Sequence, residues 1–316
     1  MTTATDIQTR PVPGKSDFVR EMSFRVSPAT VIRCDEPLAK HTTLRVGGPA
    51  DFFVEPATEA DLAAMLRWCT ENSLPVFVLG RGSNLLVRDG GVRGVVIRLS
   101  AAAFSRIEIN GCRMVCGAGA KQKNVAVEAR RAGLSGLEFL EGIPGSVGGA
   151  LRMNAGAMGS ETFQVVESLR IMDFGGNISE LASAQAKASY RCCATLKNQI
   201  ALSAAFKGQP QPIEEITARM QQYSAKRWAA QPAAPSAGCI FKNPEAIPAG
   251  KLIDELGLKG TSIGGARISL EHGNFLVNDG GATAQEVLEL IERLRAKAKM
   301  ERGIDLQMEV EIMGEA

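Results

Sequence analysis

The chain has 316 residues, of which 45% are hydrophobic, so it can bury a substantial core in two or three structural units. Its 36 basic and 34 acidic residues almost cancel, and it contains only two Trp and two Tyr residues. Nucleic-acid binding calls for a strongly basic surface and stacking aromatic rings, so the composition argues against that function.

The seven cysteines form neither a disulfide framework nor a metal-binding pattern. Their number is odd, their spacing is irregular, no CxxC pair occurs, and the two histidines stand alone. The N-terminus has no apolar stretch typical of a signal peptide, and no apolar run approaches the roughly 18 residues of a membrane span. We therefore expect a soluble, cytoplasmic protein with reduced thiols, no bound metal and no membrane association.

The N-terminal part of the chain is predicted to start with an unstructured extension over residues 1–24, which mix Thr, Pro, Lys and Asp without periodicity. A helix is predicted from Thr58, because Thr58 and Asp61 form a variant of the capping box and apolar residues follow at helical spacing. The next segment, PVFVLG at 75–80, is predicted to be a buried strand.

The middle of the chain is rich in predicted strands. VRGVVIRL at 92–99 predicts one strand, and RIEINGCRMVCGAG at 106–119 predicts a hairpin around its Asn-Gly pair. A short helix is predicted to end at Gly133, and two further strands are predicted at 168–174 and 200–206.

The Pro- and Gln-rich stretch 207–215 predicts a domain boundary. Beyond it, helices are predicted from Ile213, after Pro248 and after the Thr283–Glu286 capping box, and a last strand is predicted around 306–313. The predicted fold class is α+β, with two lobes at about 25–100 and 101–207 and a smaller domain at 213–316.

Three glycine clusters interrupt the predicted lobes: Arg45–Gly48, Leu79–Gly91 and Gly136–Gly159. Glycine lets backbone N–H groups approach a ligand, so a strand followed by a Gly/Ser turn can form a nest for phosphate oxygens. For each cluster alone, tight turns between strands are the better explanation. Together they favour a loop system that wraps a large anionic cofactor, although neither GxGxxG nor the P-loop pattern is present.

Longer strings resemble, in order and spacing, the motifs of UDP-N-acetylenolpyruvoylglucosamine reductases, over about residues 38 to 314. They include TLRVGGPAD, VLGRGSNLLVRDGGVRGVVI, GLSGLEFLEGIPGSVGGALRMNAGAMG, ASYR, AQPAAPSAGCIFKNP, AGKLIDELGLKG, HGNFLVN and LQMEVEIMG. The resemblance implies a two-lobed FAD-binding domain of the p-cresol methylhydroxylase type, followed by a C-terminal substrate-binding domain. The lack of an inserted loop before that domain is similar to the shorter subclass of the family.

The resemblance also implies a reaction. NADPH reduces non-covalently bound FAD, and the reduced flavin passes a hydride to C3 of UDP-N-acetylglucosamine enolpyruvate, giving UDP-N-acetylmuramate. The expected partners are therefore the UDP-sugar and NADPH, with no obligate protein partner. The product is used in peptidoglycan synthesis, so the expected cellular roles are cell-wall biogenesis, cell shape and cell division.

Three residues match the family's catalytic positions. Arg191 in ASYR would polarise the substrate carboxylate, and Glu309 in LQMEV would assist near the developing enolate. Cys239 in AGCIFKNP stands where the family usually has the serine that protonates C2, so the donor would be a thiol with an ordinary pKa of about 8.5. Without the resemblance, Arg191 could be a surface ion pair, Glu309 an exposed strand carboxylate and Cys239 a small buried apolar residue.

Other site residues follow from the resemblance. The substrate contacts would be Tyr190, Lys242 and Asn243. The residues expected to bind the cofactor are Gly80, Arg81, Gly82, Ser83, Asn84, Leu85, Gly119, Gly142, Ile143, Pro144, Gly145, Ser146, Gly148, Gly149, Asn154, Ala155, Gly156 and Arg227.

The chain departs from the family pattern at three positions. Met158 replaces a frequent Tyr, Trp228 replaces a frequent second Arg, and Glu311 replaces the Arg of EVR. The loss of positive charge should weaken phosphate attraction unless Lys242, Arg227 or Lys251 compensates.

Two rival functions are an FAD-linked oxidase of the same cofactor fold and a non-enzymatic flavin sensor that uses the thiols. Several such oxidases tether flavin through histidine, whereas neither histidine here lies in a glycine cluster. The C-terminal AGCIFKNP and HGNFLVN motifs favour the reductase.

Overall fold

The computed structural model describes residues 14–316. Its helices are α1 Lys15–Arg25, α2 Glu59–Glu71, α3 Gln122–Arg131, α4 Val147–Met153, α5 Ile213–Ala230, α6 Ala249–Glu255 and α7 Ala284–Arg302. Its strands are β1 Val31–Pro37, β2 Pro49–Glu55, β3 Val76–Val78, β4 Leu85–Val87, β5 Val92–Ile97, β6 Ile107–Asn110, β7 Arg113–Gly117, β8 Leu134–Ser135, β9 Gly156–Ala157, β10 Ser160–Glu161, β11 Val166–Met172, β12 Ile178–Ala182, β13 Ala188–Ser189, β14 Cys192–Cys193, β15 Ile200–Lys207, β16 Gln209–Pro210, β17 Ser236–Cys239, β18 Ser262–Ile263, β19 Ala266–Ile268, β20 Phe275–Asn278 and β21 Glu311–Met313.

The first sheet has the strand order β1-β2-β5-β3, in which β1 is antiparallel to β2 and the remaining pairs are parallel. Helix α2 connects β2 to β3 and starts at the predicted capping box, since Thr58 Oγ1 accepts from the N–H of Asp61 at 3.1 Å and the Asp61 carboxylate accepts from the N–H of Thr58 at 3.1 Å. The prediction of a buried strand at 75–80 is wrong in its burial, because Val78 is 45% exposed at the edge of a cleft.

Helix α1 corrects the prediction that residues 1–24 form an unstructured extension. Residues 1–13 lie outside the described residues, but Lys15–Arg25 is helical and buries Phe18 and Met22 completely. The ring of Phe18 stacks on Phe52 of β2 at a centroid distance of 4.0 Å and meets Trp68 of α2 edge-on at 5.4 Å. This packing supplies the apolar contacts that stabilise a helix whose other apolar residues, Val19 and Phe24, are exposed.

The second sheet is antiparallel, with the order β12-β11-β15-β7-β6. The predicted hairpin is confirmed: β6 and β7 pair from Asn110 and Arg113 outward, and Gly111 has the positive φ of 57° that its turn requires. Helices α3 and α4 add buried residues to the core that the two lobes share, while a second core that includes Phe53 and Val96 lies within the first lobe.

Helix α5 packs on the second lobe, so the C-terminal unit begins after this helix and not at residue 213. Ile216 and Met220 belong to the core shared by the two lobes. Arg219 of α5 donates to Ser135 at 2.9 Å and to the buried Glu138 at 2.8 Å. Residues 213–230 therefore extend the second lobe.

The C-terminal unit consists of the antiparallel sheet β17-β20-β19-β18 and helices α6 and α7. It is joined to the first lobe by a shared core that includes Leu44 and Leu86, and by the parallel pairing of β21 with β4. Asp89 of the first lobe also accepts from the first two N–H groups of α7, at 2.9 and 3.0 Å. The predicted α+β fold class is confirmed.

None of the helices in residues 14–316 combines the length and the apolar character required to cross a membrane. All seven cysteines fall within these residues and carry free thiols.

Candidate active site

A cleft with a volume of about 1480 Å³ lies where the two lobes and the C-terminal unit meet. Its lining comes from β3 and the GRGSN loop that follows it, from the loop that leads into α4, and from β17 of the C-terminal unit. Elements distant in sequence therefore converge on one concave surface, as is typical of cofactor sites between domains.

Glycines of the second and third clusters line the cleft, and the third cluster together with Gly238 leaves backbone open to it. Added Cβ atoms on Gly142, Gly149 and Gly238 would approach no other atom closer than 3.7 Å, so side chains at these positions would occupy the cleft. Gly119 is instead needed for packing, because a Cβ there would lie 1.9 Å from the carbonyl oxygen of Leu99. The glycines thus leave an open cradle in which a flat ligand can lie against backbone.

The first glycine cluster has a different role. A Cβ on Gly47 would lie 2.5 Å from Cβ of Val87, and a Cβ on Gly48 would lie 2.1 Å from the carbonyl oxygen of Asp89. Only Arg45 of this cluster reaches the cleft. Close packing of backbone segments therefore explains these two glycines.

Two loops of the cradle are tied to each other. Ser83 Oγ in the GRGSN loop donates to the carbonyl oxygen of Pro144 at 2.8 Å. Ser146 Oγ caps α4 by accepting from the N–H of Gly149 at 3.4 Å, and the N–H of Gly148 donates to Ala118 at 2.8 Å. These bonds hold the loop backbone in place before any ligand binds.

The lining of the cleft is strongly basic and suits a polyanionic ligand such as a dinucleotide. Among the described residues it contains two acidic side chains, Glu309 and Glu311. The basic side chains of the lining are Arg45, Arg81, Arg98, Lys121, Arg152, Arg191, Lys197 and Arg227. The volume, the glycine cradle and this charge together fit an FAD molecule with room for a second ligand.

Arg191 reaches the cleft from the tip of the β13–β14 hairpin. Tyr190 and Arg191 are the two central residues of its turn, and Arg191 has a φ of 55°, a conformation that costs energy for a residue other than glycine. Asn154 braces the hairpin, because its Nδ2 donates to the carbonyl oxygen of Ser189 at 3.1 Å. The absence of a side chain on Gly156 leaves space for the guanidinium, since a Cβ there would lie 3.2 Å from Nη1 of Arg191.

Glu309 meets Arg191 in a partly buried ion pair. Nε of Arg191 donates to Oε1 of Glu309 at 2.8 Å, and the two side chains are 20% and 15% exposed. The backbone of Glu309 is fixed from both sides: its N–H donates to Ile240 at 2.8 Å, and its carbonyl oxygen accepts from Asn84 at 3.0 Å. Burial raises the pKa of the Glu309 carboxyl, against the opposing effect of the charges of Arg191 and Lys242.

Cys239 enters the cleft at the end of β17. The strand is irregular between Ser236 and Cys239, and Gly238 has a φ of 78° that turns the chain toward the cleft. Burial, with a smaller effect from the Glu309 charge, raises the pKa of the Cys239 thiol to about 12, while Arg191 acts in the opposite direction. The expected ordinary titration near 8.5 is therefore wrong, because the thiol is desolvated.

Four of the predicted site residues do not line the cleft. Asn154 is only 3% exposed and ends α4 in the left-handed conformation. Asn243 uses its Oδ1 to accept from the N–H of Ala249 at the start of α6, at 3.0 Å. Tyr190 is 47% exposed, with the Arg191 guanidinium 4.9 Å from its ring centroid, and Lys242 acts on the site through its charge near Glu309.

The remaining predicted residues do line the cleft, and they are Arg191, Cys239, Glu309, Gly80, Arg81, Gly82, Ser83, Asn84, Leu85, Gly119, Gly142, Ile143, Pro144, Gly145, Ser146, Gly148, Gly149, Ala155, Gly156 and Arg227. Sequence reasoning missed other lining residues, including Arg98, Arg152 and Gln199. Arg98 directly follows β5, and a charged residue at the end of a predicted strand was the signal available.

The three departures from the family pattern also face the cleft. Glu311 is neutralised by Arg152, whose Nη2 lies 3.2 Å from its carboxylate. Trp228 is 67% exposed beside Arg227 at the end of α5. Of the three side chains expected to compensate for the lost charges, Arg227 lies in the lining of the cleft, whereas Lys242 and Lys251 do not.

The fold and the site define a two-lobed FAD-binding protein with a separate C-terminal unit that completes the cleft. A family model described as "FAD binding domain" matches residues 50–182, and one described as "UDP-N-acetylenolpyruvoylglucosamine reductase, C-terminal domain" matches residues 231–313. Together they cover both sides of the cleft.

Relatives match the chain across both of these regions. The chain is 44% identical over 283 residues to a UDP-N-acetylenolpyruvoylglucosamine reductase of Clostridium botulinum (strain 657 / Type Ba4), covering 89% of this chain and 92% of that protein. It is 44% identical over 286 residues to one of Clostridioides difficile (strain 630), covering 90% and 94%. The crystal structure of the enzyme of the same name from Thermus caldophilus superposes with a TM-score of 0.78 at 39% identity, covering 90% of this chain and 99% of that chain. The chain belongs to the UDP-N-acetylenolpyruvoylglucosamine reductase family.

Proposed function

We propose that this chain uses NADPH to reduce the enolpyruvyl group of UDP-N-acetylglucosamine enolpyruvate through FAD, giving UDP-N-acetylmuramate. The observation that carries the proposal is the convergence of Arg191, Glu309 and Cys239 on one cleft from three separate elements. Relatives that bear this enzyme's name cover nine-tenths of the chain, and they support the same substrate here.

The cofactor would lie non-covalently in the glycine cradle. The GRGSN loop and the loop leading into α4 would hold it with backbone N–H groups, and the arginines of the lining would neutralise its diphosphate. Bound FAD would supply the redox chemistry by accepting a hydride from NADPH and delivering one to C3 of the enolpyruvyl double bond.

Arg191 would stabilise the negative charge that develops on the substrate. When C3 gains a hydride, electron density moves onto C2 and the adjacent carboxylate. Arg191 binds Glu309 through Nε, which leaves its two terminal nitrogens to form a fork toward the substrate carboxylate. Glu309 would therefore set the direction of the guanidinium, and Lys242 would add positive charge behind it.

Cys239 would protonate C2. Its S–H bond breaks as the new C2–H bond forms, and the resulting thiolate regains its proton from solvent. A thiol with a pKa of about 12 is fully protonated at neutral pH, so the donor is ready in every turnover. The nearby Arg191 charge would stabilise the transient thiolate, and the Asn274 amide would orient the thiol.

The proposed substrate and reductant would assign this activity to the cytoplasm, at the nucleotide-sugar stage of peptidoglycan synthesis, and would link it to cell shape and division. Tyr190, exposed beside Arg191, would contact the substrate from the rim of the cleft, and Lys242 would act on the substrate through its charge. Asn243 is engaged at the start of α6, and we assign it to holding that helix.

An anaerobic absorption experiment tests the proposal. NADPH should bleach the visible flavin bands of the FAD-loaded protein, and UDP-N-acetylglucosamine enolpyruvate should then restore them. Bleaching without recovery would contradict the substrate assignment. Failure of the purified protein to bind FAD at all would contradict the cofactor assignment as well.

A further inference from the structure

Three side chains of the first lobe form a chain of hydrogen bonds that ends in the cleft. Nε2 of His41 lies 2.8 Å from Oε1 of Glu36, and Nδ1 of His41 lies 3.0 Å from Nη1 of Arg98. The His41 ring stacks on Phe53 at a centroid distance of 4.2 Å. His41 and Glu36 are only 11% and 16% exposed, so packing fixes both partners.

The bonding partners determine the proton positions on His41. An arginine guanidinium can only donate, so Nδ1 of His41 must accept from Arg98. Nε2 then carries the hydrogen and donates a hydrogen bond to the carboxylate of Glu36. Glu36 therefore sets the tautomer of His41, and His41 in turn sets the direction of Arg98.

The same segment also supports the GRGSN loop. The N–H of Thr43 donates to the carbonyl oxygen of Gly82 at 3.1 Å, and Oγ1 of Thr43 donates to the carbonyl oxygen of Ser236 at 2.6 Å. A Cβ on Gly82 would lie 2.4 Å from the carbonyl oxygen of His41, so the two segments are in direct contact. Arg98, which lines the cleft, is thus held next to the loop that forms the backbone nest.

The charge of Arg98 is available to a ligand. The charge of Arg98 acts on the carboxylate of Glu55, but that carboxylate accepts its hydrogen bonds from Arg33 at 3.1 Å and from Ser100 at 2.5 Å. His41 in the tautomer above is neutral. The guanidinium uses Nη1 toward His41, and its other nitrogens can donate to phosphate oxygens.

We propose that Arg98 binds the diphosphate of FAD and that His41, fixed by Glu36, is the positioning residue that aims it. This inference rests on the proposed placement of FAD in the glycine cradle. Loss of a charge-assisted bidentate contact should weaken FAD binding by about 10- to 100-fold.

The experiment is a set of FAD titrations of apo-protein variants, followed by flavin fluorescence. Arg98→Met should raise the dissociation constant of FAD about 10- to 100-fold. His41→Asn keeps an acceptor near the Nδ1 position and should bind FAD within about threefold of the wild type, whereas His41→Gln places its amide near Nε2 and should resemble Arg98→Met. Near-native affinity of His41→Gln would overturn the positioning role.

A double-mutant cycle separates positioning from general structure. If His41 acts through Arg98, His41→Gln should have no further effect on FAD affinity in the Arg98→Met background. Additive losses would show that His41 acts independently of Arg98. Thermal melts of the apo-proteins check folding, and Arg98→Lys, which keeps the charge and loses the fork, should give an intermediate affinity if Arg98→Met does not fold.

Competition by ADP tests the assignment to the diphosphate. Arg98→Met should weaken ADP as a competitor of FAD by the same factor as it weakens FAD, and an unchanged ADP inhibition constant would refute the diphosphate contact. Wild-type protein that binds no FAD would overturn the proposed function. Tight wild-type binding that Arg98→Met leaves unchanged would overturn only this inference.

Discussion

Replacement of Cys239 by serine and by alanine is the sharpest test of the proposed proton donor. Serine keeps a hydroxyl proton at the same position, whereas alanine removes the donor and leaves the rest of the cleft unchanged. Because residue 239 ends β17 at the edge of the cleft, both side chains fit without new contacts in the core.

The expected loss of turnover follows from the proposed role of Cys239 as a general acid. General acid catalysis contributes about 10²- to 10⁴-fold, so Cys239→Ala should lose turnover by that factor, or about 3–5 kcal/mol of transition-state stabilisation. Cys239→Ser should stay within about tenfold of the wild type, since the family's usual donor is serine. With a thiol pKa of about 12, roughly one thiol in 10⁴ is ionised at pH 8. Ionisation of Cys239 should therefore cause no fall in wild-type activity between pH 7 and pH 9.

Rapid-mixing absorption under anaerobic conditions separates the two half-reactions. In Cys239→Ala, bleaching of the flavin by NADPH should proceed within about twofold of the wild-type rate, and only its reoxidation by the enolpyruvyl substrate should be slow. Wild-type reoxidation rates in Cys239→Ala would refute the donor assignment. Equal losses in both half-reactions would indicate damage to cofactor binding and would refute it too.

Three further predictions concern packing, pH and ligand binding. Phe18→Ala should destabilise the protein by about 3–5 kcal/mol in urea denaturation, because Phe18 is fully buried, whereas Phe24→Ala on the same helix, 82% exposed, should change stability by less than about 0.5 kcal/mol; equal effects would contradict the docking of α1. Burial alone would raise the pKa of Asp61, but hydrogen bonds from Ser27, Thr58 and Thr30 lower it, so its stabilisation is present above the unfolded pKa of about 3.9 and is lost as pH falls through the folded value. Asp61→Asn should therefore be less stable than wild type at pH 7, the difference should shrink as the pH is lowered below about 3.9, and a constant difference would contradict this. Trp228 is exposed at the cleft and Trp68 is buried, so the UDP-sugar should quench wild-type tryptophan fluorescence and should leave that of Trp228→Phe nearly unchanged, while quenching retained in the variant would place Trp228 away from the ligand.

The parts of the fold that sequence reasoning predicted well are those fixed by local hydrogen bonds. The capping boxes at Thr58 and Thr283 start α2 and α7 as expected, and the Asn110-Gly111 pair forms its hairpin. In each case the side chain or the glycine acts on backbone within three residues, so the sequence alone specifies the geometry.

The wrong predictions concern helices whose placement depends on contacts with residues distant in sequence. Helix α1 buries mainly Phe18 and Met22, a narrow apolar seam that is stable only against Phe52 and Trp68. Helix α5 follows a Pro-rich stretch that is typical of a boundary, yet Arg219 ties it to Glu138 in the second lobe. The sequence pattern within each helix does not reveal the residues against which the helix packs.

The candidate site also combines features that the sequence could predict with features that depend on the folded structure. Arg191, Cys239 and Glu309, which the family motifs indicated, all line the cleft. They do not distinguish an amide that contacts a ligand from one that serves the backbone, as Asn154 and Asn243 do. The thiol pKa also depends on burial, which no motif encodes.

The proposed activity is the transfer of electrons from NADPH to the enolpyruvyl double bond. Its most direct test is product analysis by mass spectrometry after incubation of the FAD-loaded protein with NADPH and UDP-N-acetylglucosamine enolpyruvate. We expect a product two mass units heavier than the substrate and one NADPH consumed per product. NADPH oxidation that is independent of the sugar nucleotide and yields peroxide in air would contradict the claim and identify an oxidase.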